Sequence, residues 1–291
     1  MLMTSDWTGL DVHDASQGVF GPDLPAVYSR WGEFVAWSPA ATHAGEAPIT
    51  IDKALLEAPS PAPQQVFGIG LNYRAHAAES GYGVPDEPPV FTKFASSIAG
   101  PYKTVTLPPG GHTDWEVELV VVIGEPTYHM SAADAWSHVA GVCVGQDLSE
   151  RISQLAGPAP QFSLGKSFSG FTPFGPYLVT ADELETPDDL EVGCMIDGHV
   201  VQQSRTGDLL FSVPRLIEHL SATLPLQPGD VIFTGKPGGV GLGMHPPGYL
   251  QPAETLTTWV QGVGEIEQTF VSAWWLVSRD YESTNGQCRW G

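Results

Sequence analysis

The stretch Asp114-Trp115-Glu116-Val117-Glu118-Leu119-Val120-Val121-Val122-Ile123-Gly124 decides how this chain is read. Its apolar run from Leu119 to Ile123, mostly β-branched and closed by Gly124, predicts a strand buried on at least one side. Strand side chains alternate faces, so Glu116 and Glu118 point the same way, with Cα atoms about 6.5 Å apart. Trp115, Val117 and Leu119 point the other way. Two carboxylates sharing a pocket repel, and burial raises one pKa unless a cation lies between them. A metal ion is the simplest such cation. The plain alternative is a strand that emerges into water with two solvated acids, so the rest of the chain must decide.

Across 291 residues, 33 acids against 12 Lys and Arg give a formal net charge of −21. That field repels nucleic acid and anionic membrane, which excludes both as partners. An anionic substrate needs local cations, and between Thr104 and Ser278 these are only Arg151, Lys166, Arg205, Arg215 and Lys236. Cys143, Cys194 and Cys288 are odd in number and lack CxxC spacing, which argues against a disulfide framework and a structural zinc site. With no secretory-type start and no apolar run long enough to span a bilayer, the expectation is a cytoplasmic protein.

Taken in order, the N-terminal aromatics Phe20, Tyr28, Trp31, Phe34 and Trp37 predict a small subdomain with one or two strands over Val27 to Trp37. The prolines of Ala58 to Pro63 suit a linker. The division is therefore residues 1–63 as subdomain and linker, 64–273 as the main domain and 274–291 as a tail. A strand over Val66 to Gly70 leads into a helix from Asn72 to Gly81, which sets His76 and Glu79 one turn apart. There Glu79 either orients the imidazole as a base or makes a plain surface contact. A second apolar strand, Val139 to Val144, ends near Asp147, which serves as a third acid, as a helix N-cap, or as both. Arg151 and Gln154 follow on the next turn. Lys166 to Pro176 is a loop of aromatics, Gly and Pro. Leu190 to Gln203 predicts a hairpin through Asp197-Gly198, and Ser212 to Leu220 a helix. Thr234 to Gly241 is Gly-rich and holds Lys236, but it lacks the spacing and following helix of a nucleotide loop.

These pieces, over roughly residues 64 to 273, resemble the fumarylacetoacetate hydrolase family. The resemblance lies in Gly70 to His76 with Glu79, Asp114 to Leu119, Gln146 to Arg151 with Gln154, Lys166 followed by Phe171 to Pro176, and Thr234 to Gly241. It implies an α+β fold, a mixed β-roll with flanking helices beside the small N-terminal subdomain, usually as a homodimer. It implies Glu116, Glu118 and Asp147 as metal ligands. Hard oxygen donors without His or Cys suit Mg²⁺ or Mn²⁺, with Ca²⁺ able to replace them in a crystal. It implies His76, Glu79 and Lys166 as catalytic residues, and Arg151, Gln154, Thr234, Lys236 and Tyr73 as substrate-binding ones. The implied activity is hydrolytic cleavage of a C–C bond in a small diketo acid of the acylpyruvate or fumarylpyruvate type, giving pyruvate or a related 2-oxo acid and a carboxylic acid. Decarboxylation of oxaloacetate, keto-enol tautomerisation and a non-catalytic metal-binding role are the alternatives. The sequence departs from the family pattern at Ile152, Ser169-Gly170, Arg205 and Lys236, each expected to change charge or polarity near the pocket.

Overall fold

A computed structural model describes residues 1–5, 7–41, 47–74 and 83–273. Val117–Ile123 is the middle strand of a seven-stranded mixed sheet and is buried along its whole length. It runs antiparallel to Val139–Gln146 on one side and to Val231–Phe233 on the other. Val66–Ile69 then pairs in parallel with Val231–Phe233. A five-stranded sheet covers one face. Val117, Leu119, Val121 and Ile123 share a core with Val192, Cys194, Leu256, Ile266 and Phe270 of that second sheet. Val120 and Val122 point the opposite way, into a core with Cys143, Phe174, Val231 and Phe233, closed by Tyr28 and Ala58. Burial on both faces is why the strand is continuously apolar from Leu119 to Ile123 instead of alternating. The architecture is mixed α+β, with a curled half-barrel sheet and few helices.

The quoted stretch is not one strand. Thr113–Asp114 pairs with Ser149–Glu150 in a separate two-stranded ladder, and the chain leaves regular pairing at Trp115 and Glu116. Two glutamines make that break tolerable: the Glu116 N–H donates to Gln146 Oε1 at 2.8 Å and the Val117 N–H to Gln202 Oε1 at 2.9 Å. Side-chain acceptors satisfy buried N–H groups that the ladder no longer serves.

The strands expected over Val27 to Trp37 are instead helices, Leu24–Tyr28 and Trp31–Ala41. Tyr28, Trp31, Phe34 and Trp37 recur every third residue, which lines one face of a helix. Successive rings are 5.5, 5.4 and 5.8 Å apart, and Pro25 sits in the first turn. The local strands are Leu2–Ser5, Thr8–Leu10 and Ile49–Thr50, a small antiparallel sheet. Residues 58–63 form neither helix nor strand, yet they pack on the body. Ser60 Oγ donates to the Gly229 carbonyl at 2.6 Å and Tyr28 Oη to the Pro59 carbonyl at 3.0 Å. The hairpin forms as Glu191–Ile196 and His199–Arg205, with positive φ at Asp197 and Gly198 as the tight turn requires. The later helix is Val213–Thr223. No helix among the described residues is long and apolar enough to cross a membrane.

Candidate metal centre

The strand register assembles the acids. Glu118 pairs with Gly145 and Val117 with Gln146, so the next residue, Asp147, arrives beside Glu116 and donates its N–H to the Glu116 carbonyl at 2.9 Å. One oxygen each of Glu116, Glu118 and Asp147 lies within 4.8 Å of the others, and all three side chains are buried. At that separation and an effective dielectric near 20, each pair of charges repels by roughly 3 kcal/mol. Cations must therefore be close by.

Several are. Lys166 Nζ donates to Glu116 Oε2 at 2.6 Å, to Asp147 Oδ2, and to Ser149 Oγ at 2.8 Å. Lys93 Nζ lies 2.5 Å from Asp147 Oδ1. Arg151 Nη2 approaches Glu116 Oε1 at 2.7 Å, and Lys236 Nζ stands 3.5 Å from the same oxygen. The buried Glu116 Oε1 thus has two ion pairs but, among the described residues, no hydrogen bond. Glu118 receives one donor from the described residues, the Gly235 N–H at 2.6 Å. Gly235 is required there: its φ is positive, and a Cβ would come within 2.6 Å of Asn72 Cβ.

The titration tendencies follow this layout. Burial raises Glu116, but Lys166, Lys236 and Arg151 outweigh it and hold the carboxyl well below its usual range. Burial also raises Glu118, where Asp147 and Glu116 add to the shift and carry it well above that range. Lys166 is desolvated too, yet Asp147 and Glu116 keep its pKa raised. Burial lowers Lys93 and Lys236. A carboxyl that is easily protonated next to an under-bonded carboxylate oxygen is the environment a divalent cation corrects. Three hard oxygen donors with no nitrogen or sulfur fit Mg²⁺ or Mn²⁺.

Comparison with known proteins gives the family. The model of the fumarylacetoacetate (FAA) hydrolase C-terminal domain matches residues 65–271. The chain belongs to the fumarylacetoacetate hydrolase family. The human mitochondrial oxaloacetate tautomerase is 39% identical over 252 residues, covering 85% of this chain and 80% of the human one. A crystal structure of a Mycobacterium smegmatis protein provisionally called HpcE is 51% identical with a TM-score of 0.86, covering 93% and 96% of the two chains. Maleylpyruvate hydrolase from Sphingobium sp. SYK-6, crystallised with manganese(II) and pyruvate, is 26% identical with a TM-score of 0.74, covering 93% and 95%. Members of the family bind divalent metals and include hydrolases, isomerases and a tautomerase.

In this family member the mouth of the cluster is built by Asp114, Arg151 and the Gly-rich loop. Asp114 accepts from Arg151 Nε at 2.8 Å and from the N–H groups of Gly241 and Leu242 at 2.7 and 2.9 Å. Trp115 Nε1 and Gln202 Nε2 donate to the Gly239 and Pro237 carbonyls at 3.1 and 3.0 Å. Loop N–H groups at 235, 241 and 242 thus serve protein carboxylates. Arg151 Nη1 donates to Gln154 Oε1 at 2.7 Å, so the two sit together as the sequence suggested. Among the described residues, buried Tyr73 Oη has no hydrogen-bond partner, and Arg151 Nη2 has ion pairs with Asp114 and Glu116 but no hydrogen bond. Burial, then Glu118 and Asp208, push the Tyr73 phenol upward. Thr234 is buried beside them, its hydroxyl donating to the Leu119 carbonyl at 2.9 Å.

Other expectations fare differently. His76 and Glu79 lie outside the described residues. The N-cap of the Arg151–Gln154 turn is Glu150, whose carboxylate accepts from Ile152 and Ser153 N–H, and not Asp147. Of the four departures from the family pattern, only Lys236 touches the acids. Arg205 is at the surface, paired with Asp189 at 2.7 Å, and Ile152 is exposed. Ser169 is exposed and Gly170 lies against Val105. Sequence reasoning missed Lys93, Ser149 and the anchoring role of Asp114. For Lys93 a signal existed: on the Val90–Phe94 stretch it shares the face of buried Phe91, opposite exposed Val90 and Thr92.

Proposed function

We propose that the cluster holds a small 2-oxo acid beside a divalent cation and stabilises its enolate, and that the complete reaction is hydrolytic C–C cleavage of an acylpyruvate-type diketo acid. The single observation that supports this most is the buried Glu116, Glu118 and Asp147 set with a poorly satisfied oxygen and adjoining cations. A cation held by the three carboxylates supplies Lewis-acid stabilisation of negative oxygen when bound. The chain's own groups do the rest. Arg151 Nη2 and Lys236 Nζ are placed to receive a substrate carboxylate, with Gln154 and Asp114 fixing the guanidinium. Lys166 Nζ, held by Glu116, Asp147 and Ser149, offers a proton or a charge to the enolate oxygen. Tyr73 Oη is a further donor on the Glu118 side. In the hydrolytic reading His76, oriented by Glu79, activates water for attack on the distal carbonyl. The match over residues 65–271 supports treating 64–273 as the catalytic unit.

A second reading is keto-enol tautomerisation of oxaloacetate. The human tautomerase is more similar to this chain than the maleylpyruvate hydrolase is, at 39% against 26% identity, and enolisation needs only the groups just described. The deciding experiment incubates the Mn²⁺- or Mg²⁺-loaded protein with a panel of acylpyruvates and with oxaloacetate, following enol absorbance and products. Release of pyruvate and a carboxylic acid, lost by roughly 10²–10⁴-fold in His76→Ala, supports hydrolysis. Enol loss without new products, on oxaloacetate alone, sinks it in favour of tautomerisation.

A further inference from the structure

We propose that Lys93 makes Asp147 a one-oxygen ligand and so biases this centre toward a small six-coordinate cation and against Ca²⁺. The inference rests on the reading of Glu116, Glu118 and Asp147 as the cation's ligands and adds what sets its identity. Lys93 is a lysine with no exposed side-chain surface. Its Nζ lies 2.5 Å from Asp147 Oδ1, 2.5 Å from the Lys166 carbonyl and 3.2 Å from the Phe171 carbonyl. Three acceptors match the three N–H bonds of an ammonium, so the group is fully committed. Two of those acceptors are backbone carbonyls on either side of Phe168, so the chain itself sets the position of the ammonium.

The consequence falls on Asp147. Its Oδ1 belongs to Lys93, and its Oδ2 faces Lys166 and the other acids. Turning both oxygens toward an ion would strip the fully buried Lys93 of the one carboxylate it pairs with among the described residues. Glu118 is restricted in the same sense, with Oε2 on the Gly235 N–H, and so is Glu116, with Oε2 on Lys166 Nζ. Ca²⁺ takes about six to eight oxygens at 2.3–2.6 Å and commonly uses carboxylates through both oxygens. Three one-oxygen ligands fill about half of an octahedron and well under half of a larger shell. Substrate oxygens and water complete the first easily and the second poorly. By the same backbone bond, Lys93 also fixes the start of the Lys166 side chain, so one residue positions both a ligand and a catalytic cation.

The test is equilibrium titration calorimetry with Mn²⁺ and Ca²⁺ on the metal-stripped wild type, Lys93→Met and Lys93→Gln. The wild type should bind Mn²⁺ at least tenfold more tightly than Ca²⁺. Loss of a nearby positive charge strengthens both ions alike, so the diagnostic quantity is their ratio, which should shift toward Ca²⁺ by about tenfold in Lys93→Met and by less in Lys93→Gln, whose amide can still donate. A ratio unchanged in folded variants overturns the proposal. Should neither variant fold, the wild-type order alone decides it, because equal or tighter binding of Ca²⁺ overturns it as well. If no ion binds the wild type, the metal reading itself fails and takes this inference with it, an outcome distinct from binding with an unaltered ratio.

Discussion

Glu116 and Glu118 stand two residues apart on one face, equally buried, and their surroundings differ in kind. Glu116 meets Lys166 at 2.6 Å, Arg151 at 2.7 Å and Lys236 at 3.5 Å. Glu118 meets the Gly235 N–H. Burial works against the ionised form of both, but cations reverse it at Glu116, while Asp147 and Glu116 reinforce it at Glu118. One side of the cluster is neutralised by the chain itself; the other depends on an added ion. On this layout the Glu116 side should matter more to the metal-free fold, and the Glu118 side should gain more from a bound cation.

The sharpest way to break this comparison is to make the same substitution at both positions. Glu116→Ala and Glu118→Ala should each abolish tight Mn²⁺ binding and lower turnover on the order of 10³-fold or more, since three ligands are needed to hold the ion. Their effects on the metal-free fold should diverge. Glu116→Ala leaves Lys166 and Arg151 buried with one partner fewer, a loss of about 3–5 kcal/mol. Glu118→Ala removes a carboxylate whose charge is already disfavoured, so its metal-free stability should match or exceed that of the wild type. Thermal melts of both variants in chelator, with metal analysis alongside, check this. Equal destabilisation, or full ion retention in Glu118→Ala, refutes the division.

Much of this was legible because it depends on short-range pattern. The alternation at Glu116 and Glu118 and the apolar run to Ile123 place Glu118 on the central strand and Glu116 immediately before it, and the end of the next apolar run places Asp147 nearby. The Asp197-Gly198 hairpin follows from turn chemistry alone. What escaped depends on partners distant in sequence. Lys93 acquires its role from Asp147 and from carbonyls at 166 and 171, and Asp114 from Arg151 and the loop at 241 and 242. The N-terminal helices were misread for another reason. Trp, Phe and Tyr favour strands on average, and that propensity masked a three-residue spacing which the fold honours. As a departure from the family pattern Arg205 is expected to change charge near the pocket, whereas the structure sets it on the outer edge of the five-stranded sheet.

Lys236 and Arg205 give a second, smaller contrast, because both depart from the family pattern and only one touches the cluster. Lys236 Nζ is almost enclosed, and its ion pair with Glu116 is long and shared with two better-placed cations. It is available to a substrate carboxylate in a way that Lys166 is not. Lys236→Thr should therefore raise KM for an acylpyruvate by about tenfold, the worth of one charge-assisted contact, and change its uncharged carboxamide analogue far less. Equal effects on the two substrates would show that Lys236 acts through Glu116 instead of on the substrate.

Arg205→Asn is the matching control and should do least. Arg205 Nε pairs with Asp189 Oδ1 at 2.7 Å, and its Nη2 donates to the Asp189 carbonyl at 2.8 Å. Both side chains are about half exposed, so water solvates the two charges nearly as well after the pair is broken. The hydrogen bonds raise the Arg205 pKa and lower that of Asp189, but neither group titrates near neutrality, so no pH dependence should appear between pH 6 and 8. The neighbouring backbone keeps its own bonds, since Arg205 pairs with Glu191 in the hairpin ladder whatever its side chain. Kinetics on both substrates and the melting temperature should be indistinguishable from wild type. A change in KM comparable to that of Lys236→Thr would mean that substrate reaches the outer sheet edge and that the pocket is larger than the acid cluster and its mouth.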